Sequence, residues 1–480
     1  MIPWLAVLAS AGEFGAGGYM RVMARPDWMG GNGRLGHWNL YGRLMNEGPY
    51  AVLDLRYDVL PPEPGSDAPT SSLHARIEGG AVGGAEPTLG NLAGLRLSQL
   101  DVEAGRVAGR DWTFRFGTLD FEFGELGLYD MRPASLMVGT VGGAATWRRG
   151  DTEVRLGVGD AGFALHGLAY DAVPTAGLAF RAALGDHVEI GGGAEGLIQP
   201  GVPGNVYAPY QTPGMAYEDW IRGTVVSSFV AENPALAEMF PDPSPRDAMS
   251  GGVVAYLGFG DVGPLRWSAT YASYRRVHPT LRSVEATDDG DVDLYVTAFT
   301  DDRTRLVVGH ESRLGFGIVE VAVGGLFGDD RDGDNQIAPT DHDRIYGSGV
   351  VRTQVALRPT VALLVETSLA REWSRNGAMW REHADSIFAS TDGLPDADGL
   401  EMGDTDTRDT WQGKGGFVLQ PLGPGLWSRP SLRLLYGVQQ SNVNVAFGNG
   451  FVETVDANDA FGNVEIHTHH LVALEAEAWF

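Results

Sequence analysis

Along most of this chain apolar and polar residues trade places at every second position. Leu53, Leu55, Tyr57 and Val59 alternate with Asp54, Arg56 and Asp58. Leu100, Val102 and Ala104 alternate with Asp101 and Glu103, and Leu119, Phe121 and Phe123 with Asp120 and Glu122. The same rhythm returns at Val154–Val158, Leu265–Tyr271, Val292–Ala298 and Leu432–Val438. Successive side chains of a strand point to opposite faces, so each such segment builds one apolar wall and one polar wall. A soluble sandwich gives the same pattern. Three features favour a transmembrane antiparallel β-barrel. The segments recur over the whole chain with no helical domain between them. Their polar faces carry charge rather than Ser and Thr. Short turn signals alternate with long polar stretches, as short periplasmic turns alternate with long external loops. The stretches Pro61–Thr70, Pro241–Asp247 and Ser386–Thr410 read as long loops. Glu232–Phe240 reads as a short helix in an external or inward-folded loop, with Pro234 near its start.

The two ends refine this reading. Residues Met1–Ala11 hold a short apolar run closing on Ala9-Ser10-Ala11, the form of an export-signal cleavage site without its basic start. The expected organisation is a signal remnant over 1–11 and a single barrel domain over 12–480. At the other end Val472, Leu474, Ala476, Ala478 and Phe480 alternate with Ala473, Glu475, Glu477 and Trp479. A closing strand with an aromatic last residue has the form of an outer-membrane sorting signal, with Phe480 at an aromatic girdle.

Composition narrows the function classes. The 480 residues include 68 Gly and no Cys, which excludes a disulfide scaffold, a thiolate metal site and a Cys nucleophile. A formal net charge of −27 argues against a nucleic-acid partner. Three weaker signals have bland alternatives. Gly157-Val-Gly-Asp-Ala-Gly162 matches a dinucleotide fingerprint, but no amphipathic helix follows it. Asp330, Asp332 and Asp334 are spaced like calcium ligands, yet lack the distal Glu, so they are expected to form an acidic surface loop rather than a metal site. His467 and His469 share a strand face without an evident third metal ligand. No cofactor is expected. No G-x-S-x-G, H-E-x-x-H or Walker loop occurs, so the chain is not expected to be an enzyme, and a barrel hydrolase with a scattered site is the outlying alternative.

Several stretches resemble the maltoporin-type carbohydrate porins. Gly18-Tyr19-Met20-Arg21 is similar to that family's first strand. Arg34-Leu35-Gly36 with Tyr41-Gly42-Arg43-Leu44 is similar to its second, and Ala104–Phe121 to its constriction segment. Leu426–Arg433 and Leu474–Phe480 are similar to its last strands. The resemblance implies a barrel of about 18 strands, trimeric, in the bacterial outer membrane. It implies passive diffusion of sugars such as maltodextrins past a row of aromatic rings flanked by charges. Tyr19, Tyr41 and Trp479 match the aromatic row. Arg21, Arg34, Arg110, Asp111 and Asp120 match the polar track, and Arg43 and Glu477 join it because each shares a strand face with a row aromatic. A sugar ring offers an apolar face to aromatics and hydroxyls to charges, which is why the two belong together.

The alternatives are girdle aromatics facing lipid, and arginines Arg21, Arg34 and Arg43 that only solvate the lumen or pair with neighbouring acids. The chain also departs from the family, with Arg43 where a carboxylate is expected and Leu357-Arg358-Pro359 where a tryptophan precedes the proline. A general, unselective diffusion pore is therefore the alternative function. The expected partners are sugars or other small hydrophilic solutes, outer-membrane lipid, the barrel-assembly machinery and further copies of the chain.

Overall fold

A computed structural model describes residues 12–28, 35–36, 39–62, 66–80, 95–161, 172–202, 246–277, 283–286, 292–295, 303–332, 344–374, 406–442 and 468–480. The strands, in order, are β1 (Glu13–Ala24), β2 (Tyr50–Leu60), β3 (Thr70–Gly80), β4 (Arg96–Gly105), β5 (Trp112–Thr118), β6 (Phe121–Phe123), β7 (Ala134–Leu136), β8 (Val141–Arg149), β9 (Thr152–Asp160), β10 (Pro174–Leu184) and β11 (Val188–Val202). They continue with β12 (Arg246–Val262), β13 (Leu265–Val277), β14 (Ser283–Ala286), β15 (Val292–Tyr295), β16 (Arg303–Phe316), β17 (Val319–Asp332), β18 (Arg344–Arg358), β19 (Val361–Ser374), β20 (Asp406–Leu419), β21 (Ser431–Ser441) and β22 (Thr468–Trp479).

Eighteen of these strands form one antiparallel sheet, each bonded to its neighbour in sequence. The sheet closes where β1 meets β22, with Tyr19 opposite Trp479 and Arg21 opposite Glu477. At the seam the Gly18 amide donates to the Phe480 carbonyl at 2.8 Å, and the Phe480 amide returns a bond to Gly18 at 3.1 Å. The expected 18-stranded barrel is thus the observed fold. The pairs β6–β7 and β14–β15 stand apart from the ring.

Antiparallel order sends alternate connections to opposite ends. One end carries the tight turns 150–151, 185–187, 263–264, 317–318 and 359–360 and the closing residue Phe480. The other carries the long connections. Pro61–Thr70, expected as an external loop, lies at the tight-turn end because it belongs to the ring's second connection, between β2 and β3, and every second connection falls at that end. Asp406–Thr410, read as loop, is the start of β20.

Alternation assigns the faces correctly for most strands. Leu100 and Val102 of β4, Leu156 and Val158 of β9, and Leu432, Leu434 and Tyr436 of β21 face outward and are exposed. Asp101, Arg433, Glu475 and Glu477 face inward and are buried. No Asp, Glu, Lys or Arg occupies an outward position of β1–β5, β10, β11, β16, β21 or β22. β13 reverses the expectation. Its Ala269 and Tyr271 are buried inside the ring, while Ser268 and Thr270 face out. Gly157 and Gly159 of the supposed dinucleotide loop are ordinary positions of β9. The Val292–Ala298 alternation supplies β15, paired only with β14, and its residues beyond 295 lie outside the described residues.

The inward reversal at β13 has a cause, because the ring is not empty. Two long connections fold into it, the first after β1 through its described residues 35–36 and 39–49, the second, residues 119–140, after β5. Leu35, Leu40, Tyr41, Leu44 and Met45 of the first join Leu126, Leu128 and Tyr129 of the second in one apolar cluster. The barrel wall supplies Tyr271, Leu326, Tyr346, Val350 and Leu364 to that cluster. Full burial of a large apolar side chain is worth roughly 1.5–3 kcal/mol. Leu40, Tyr41, Leu44 and Met45 together therefore hold the first segment with about 6–12 kcal/mol.

Candidate functional site

The candidate site is the ring's interior, and its geometry follows from how the two segments are pinned. In the first, Asn46 folds the chain on itself. Its Oδ1 accepts from the Gly36 amide at 2.8 Å and its Nδ2 donates to the Gly42 carbonyl at 2.6 Å. The Lys414 ammonium of β20 reaches this loop and donates to the carbonyls of Tyr41 at 2.9 Å and Gly42 at 3.3 Å. It is paired with Glu366 of β19 at 2.8 Å, and Glu366 also accepts from Arg352 Nε of β18 at 2.6 Å. Gly42 is required here, since it has a φ of +85° and a Cβ would lie 2.6 Å from the Glu366 carboxylate.

The second segment is held by its own backbone. The Leu128 amide donates to Glu311 of β16 at 2.8 Å, and the Met137 amide to Glu195 of β11 at 2.6 Å. Gly124 lies directly against the Tyr271 ring, with a φ of +71°. The two segments meet where the Arg43 amide donates to the Leu128 carbonyl at 2.8 Å. A third piece enters from the tight-turn end. In the connection 420–430 the Leu426 amide donates to Glu320 at 2.8 Å, and the Trp427 ring lies between the guanidiniums of Arg313 and Arg352 at 4.8 and 5.1 Å.

Near the seam a dense ion cluster joins the first segment to β1, β21 and β22. Arg433 binds Glu477 through both terminal nitrogens, at 2.9 and 3.0 Å. Arg25 meets Glu475 at 2.5 Å, Arg43 meets Glu47 at 3.1 Å and Glu477 at 3.4 Å, Arg21 pairs with Glu47, and Arg429 with Glu477. Burial pushes the Glu47 carboxyl up to about 8, against the opposing pull of Arg21 and Arg43.

The wall from β2 to β5 is different. Its inner face carries Asp54, Arg56 and Asp58 on β2, His74, Arg76 and Glu78 on β3, Asp101 and Glu103 on β4, and Arg115 on β5. None of these belongs to the apolar clusters. The side chains of Asp54, Arg56, Glu103 and Arg115 remain 41, 54, 33 and 30 % exposed, although they point into the ring. Water therefore reaches this sector. His74 bridges Asp101 at 3.1 Å and Asp54 at 3.3 Å, and Arg115 spans Asp101 and Glu103. The interior is thus two-sided. The folded-in segments fill most of the sector from β8 round to β22, where the inward Arg181 and Arg275 still stay 56 and 45 % exposed, and the sector β2–β5 is polar and wet.

The residues expected from sequence fall on both sides of this division. Tyr19 and Trp479 do meet, with ring centroids 4.6 Å apart, and Trp479 is 66 % exposed. Tyr41 does not join them. Its ring is wholly buried, its hydroxyl donates to Glu372, and the Arg408 guanidinium lies 6.0 Å from its centroid. It anchors the first segment and offers no face to a solute, because the apolar segment needs a large side chain against β18–β20. Arg21, Arg43 and Glu477 are brought together, but in mutual ion pairs. Arg110 and Asp111 sit at the tight-turn end between β4 and β5, with Arg110 exposed, at the opposite end of β5 from the second folded-in segment. Asp120 begins the second segment, accepting from Gly139 at 3.0 Å and Gln99 at 2.7 Å. Leu119–Phe123, read as barrel wall, is that segment's start, with Phe121 and Phe123 in β6 inside the ring.

Asp330 is buried and paired with Arg305 at 3.2 Å, and His469 turns inward to Asp27 at 3.1 Å. Arg34, Asp334, His467, the 1–11 segment and the 232–240 helix lie outside the described residues, as does the side chain of Asp332. Sequence reasoning missed Arg352, Glu366 and Lys414. Their signal is a strand with apolar residues on both faces, as in Val350–Val351 and Leu363–Leu364–Val365, interrupted by a charge at an inward position.

No protein-family model matches the sequence, and no curated protein matches it. Among solved structures, the chain is similar to OccAB1 of Acinetobacter baumannii at 9 % identity, covering 98 % of this chain and 97 % of that one, with a TM-score of 0.44. It is similar to OccK3 (OpdO) of Pseudomonas aeruginosa at 9 % identity, covering 99 and 97 %, with a TM-score of 0.41. It is also similar to Wzi of Escherichia coli, described as a carbohydrate-binding β-barrel involved in capsule assembly, at 11 % identity, covering 98 and 86 %, with a TM-score of 0.39.

Proposed function

We propose that this protein is an outer-membrane pore through which small hydrophilic solutes, sugars among them, diffuse passively. One observation carries the reading: the ring wall is apolar outside and, over β2–β5, charged and water-exposed inside. A closed barrel is one of the two backbone arrangements that leave no unpaired amide in hydrocarbon. Outward Leu, Val and Phe with charge kept to the interior and the strand ends suit that setting, and suit water poorly. No covalent chemistry is needed, only width and the polarity of the wall.

Planar-bilayer recording and liposome swelling test this. Discrete conductance steps and swelling in glucose and maltose, falling with sugar size, are expected. Absence of both, with a heat-modifiable folded barrel on gels, defeats the proposal.

A sugar-selective pore is a second reading, favoured by the exposed Trp479 ring beside Tyr19, two strand positions from Glu477. Block of the ion current by millimolar maltodextrin, lost in Trp479→Ala, separates it from unselective diffusion.

A further inference from the structure

We propose that the conduit passes cations in preference to anions, with the β2–β5 wall, and in particular Asp54 and Glu103, setting that preference. The inference rests on the pore reading above and gives its solute class a sign.

The first support is where the charge can be. The chain has 62 acidic and 35 basic residues, a net charge of −27. A lipid-facing wall holds almost none of it. Outward positions of ten of the ring strands are free of Asp, Glu, Lys and Arg. The outward charges of the remaining strands sit toward strand ends, as Arg266, Arg371 and Asp409 do. The charges of the described strands are therefore turned to the interior and to the strand ends. Charge around a water path with low-dielectric walls focuses its field along that path and enriches counter-ions there.

The second support is local. The basic side chains of the seam cluster are buried in ion pairs, away from the wet wall. Lys414 and Arg352 are likewise buried against Glu366. On the wet wall the balance differs. Asp54 is 41 % exposed, with His74 its nearest partner at 3.3 Å and Arg76 Nε no closer than 4.0 Å. Glu103 is 33 % exposed, and its partner Arg115, at 3.5 Å, is shared with buried Asp101. These two carboxylates are accessible to a passing ion and only loosely compensated.

The test is the reversal potential of the full-length protein in a bilayer under a tenfold KCl gradient. We expect a permeability ratio of K⁺ to Cl⁻ of about 3 or more near 0.1 M salt, where the screening length is about 10 Å, falling toward unity near 1 M, where it is about 3 Å. The isosteric double variant Asp54→Asn, Glu103→Gln is expected to halve the ratio at low salt. Single variants report each carboxylate separately if the double variant fails to fold. A conducting wild-type channel that prefers Cl⁻, or neither ion, overturns the inference and leaves the pore reading intact. Cation preference unchanged in the folded variants overturns the assignment to Asp54 and Glu103. No conductance at all overturns the pore reading and this inference with it.

Discussion

Replacing Lys414 by Met removes the ammonium that ties the first folded-in segment to the barrel wall. Three bonds disappear together, to the carbonyls of Tyr41 and Gly42 and to the Glu366 carboxylate. Glu366 keeps Arg352, so its charge is not orphaned. Breaking a buried pair from one side costs about 3–5 kcal/mol, and the buried Tyr41 carbonyl left without this donor about 1–3 kcal/mol, while the Gly42 carbonyl keeps Asn46 Nδ2. Losing the desolvation penalty of the ammonium offsets part of this. A net loosening of about 3 kcal/mol is a reasonable central figure. The loss falls on the segment, because none of the ring's backbone ladders involves the Lys414 side chain. Hydrogen exchange reads it directly. The amides of Leu35, Gly36 and Arg43 bond to Met45, Asn46 and Leu128, and at 1.4 kcal/mol per decade they should exchange about a hundredfold faster. The open-channel current should become noisier while the barrel remains heat-modifiable. Unchanged exchange at those three amides, with the variant folded, would refute the claim that Lys414 holds the segment in place.

Three further outcomes are expected. Gly42→Ala should loosen the same loop, because alanine at φ +85° is strained by about 1–2 kcal/mol and its Cβ crowds Glu366; a lower thermal midpoint in detergent is the readout. Tyr41→Ala should destabilise the folded-in segment by about 3–5 kcal/mol as a buried aromatic truncation, whereas Trp479→Ala should leave stability nearly unchanged; the two midpoints compared decide this. For Glu47, a folded-state value near 8 against about 4.5 unfolded means the native state holds the proton more tightly. Its contribution is therefore complete below about pH 4.5 and is lost as pH rises toward 8, so the midpoint should fall over that window and level off above it, and Glu47→Gln should flatten that slope.

Much of the ring could be read from sequence, because a lipid-facing wall leaves only apolar residues at alternate positions. β2, β4, β9, β21 and β22 were predictable in place and in face for that reason. The interior was not, because alternation states which residues share a face but not what the face meets. β13 shows the difference. Tyr271 and Ala269 look lipid-facing by composition, yet they pack on Leu126 and Gly124 of a segment about 145 residues earlier in the chain. Tyr41 misled in the same way. A tyrosine two positions from an arginine fits a solute path and fits an anchor equally, and only the partner Glu372, 331 residues distant, decides between them. Arg110 and Asp111 failed for a simpler reason: resemblance placed them at a constriction, while strand order places them in a turn.

The seam between Gly18 and Phe480 has a consequence for biogenesis. The first strand's neighbour is the last to be made, so neither can be satisfied until the whole polypeptide has been delivered. In the interval both lateral edges present rows of open amides and carbonyls, ready to zip onto any other half-built sheet. A truncation of even the final strand would leave that state permanent, and such a product should accumulate as aggregate or be degraded rather than persist as a slightly smaller cylinder.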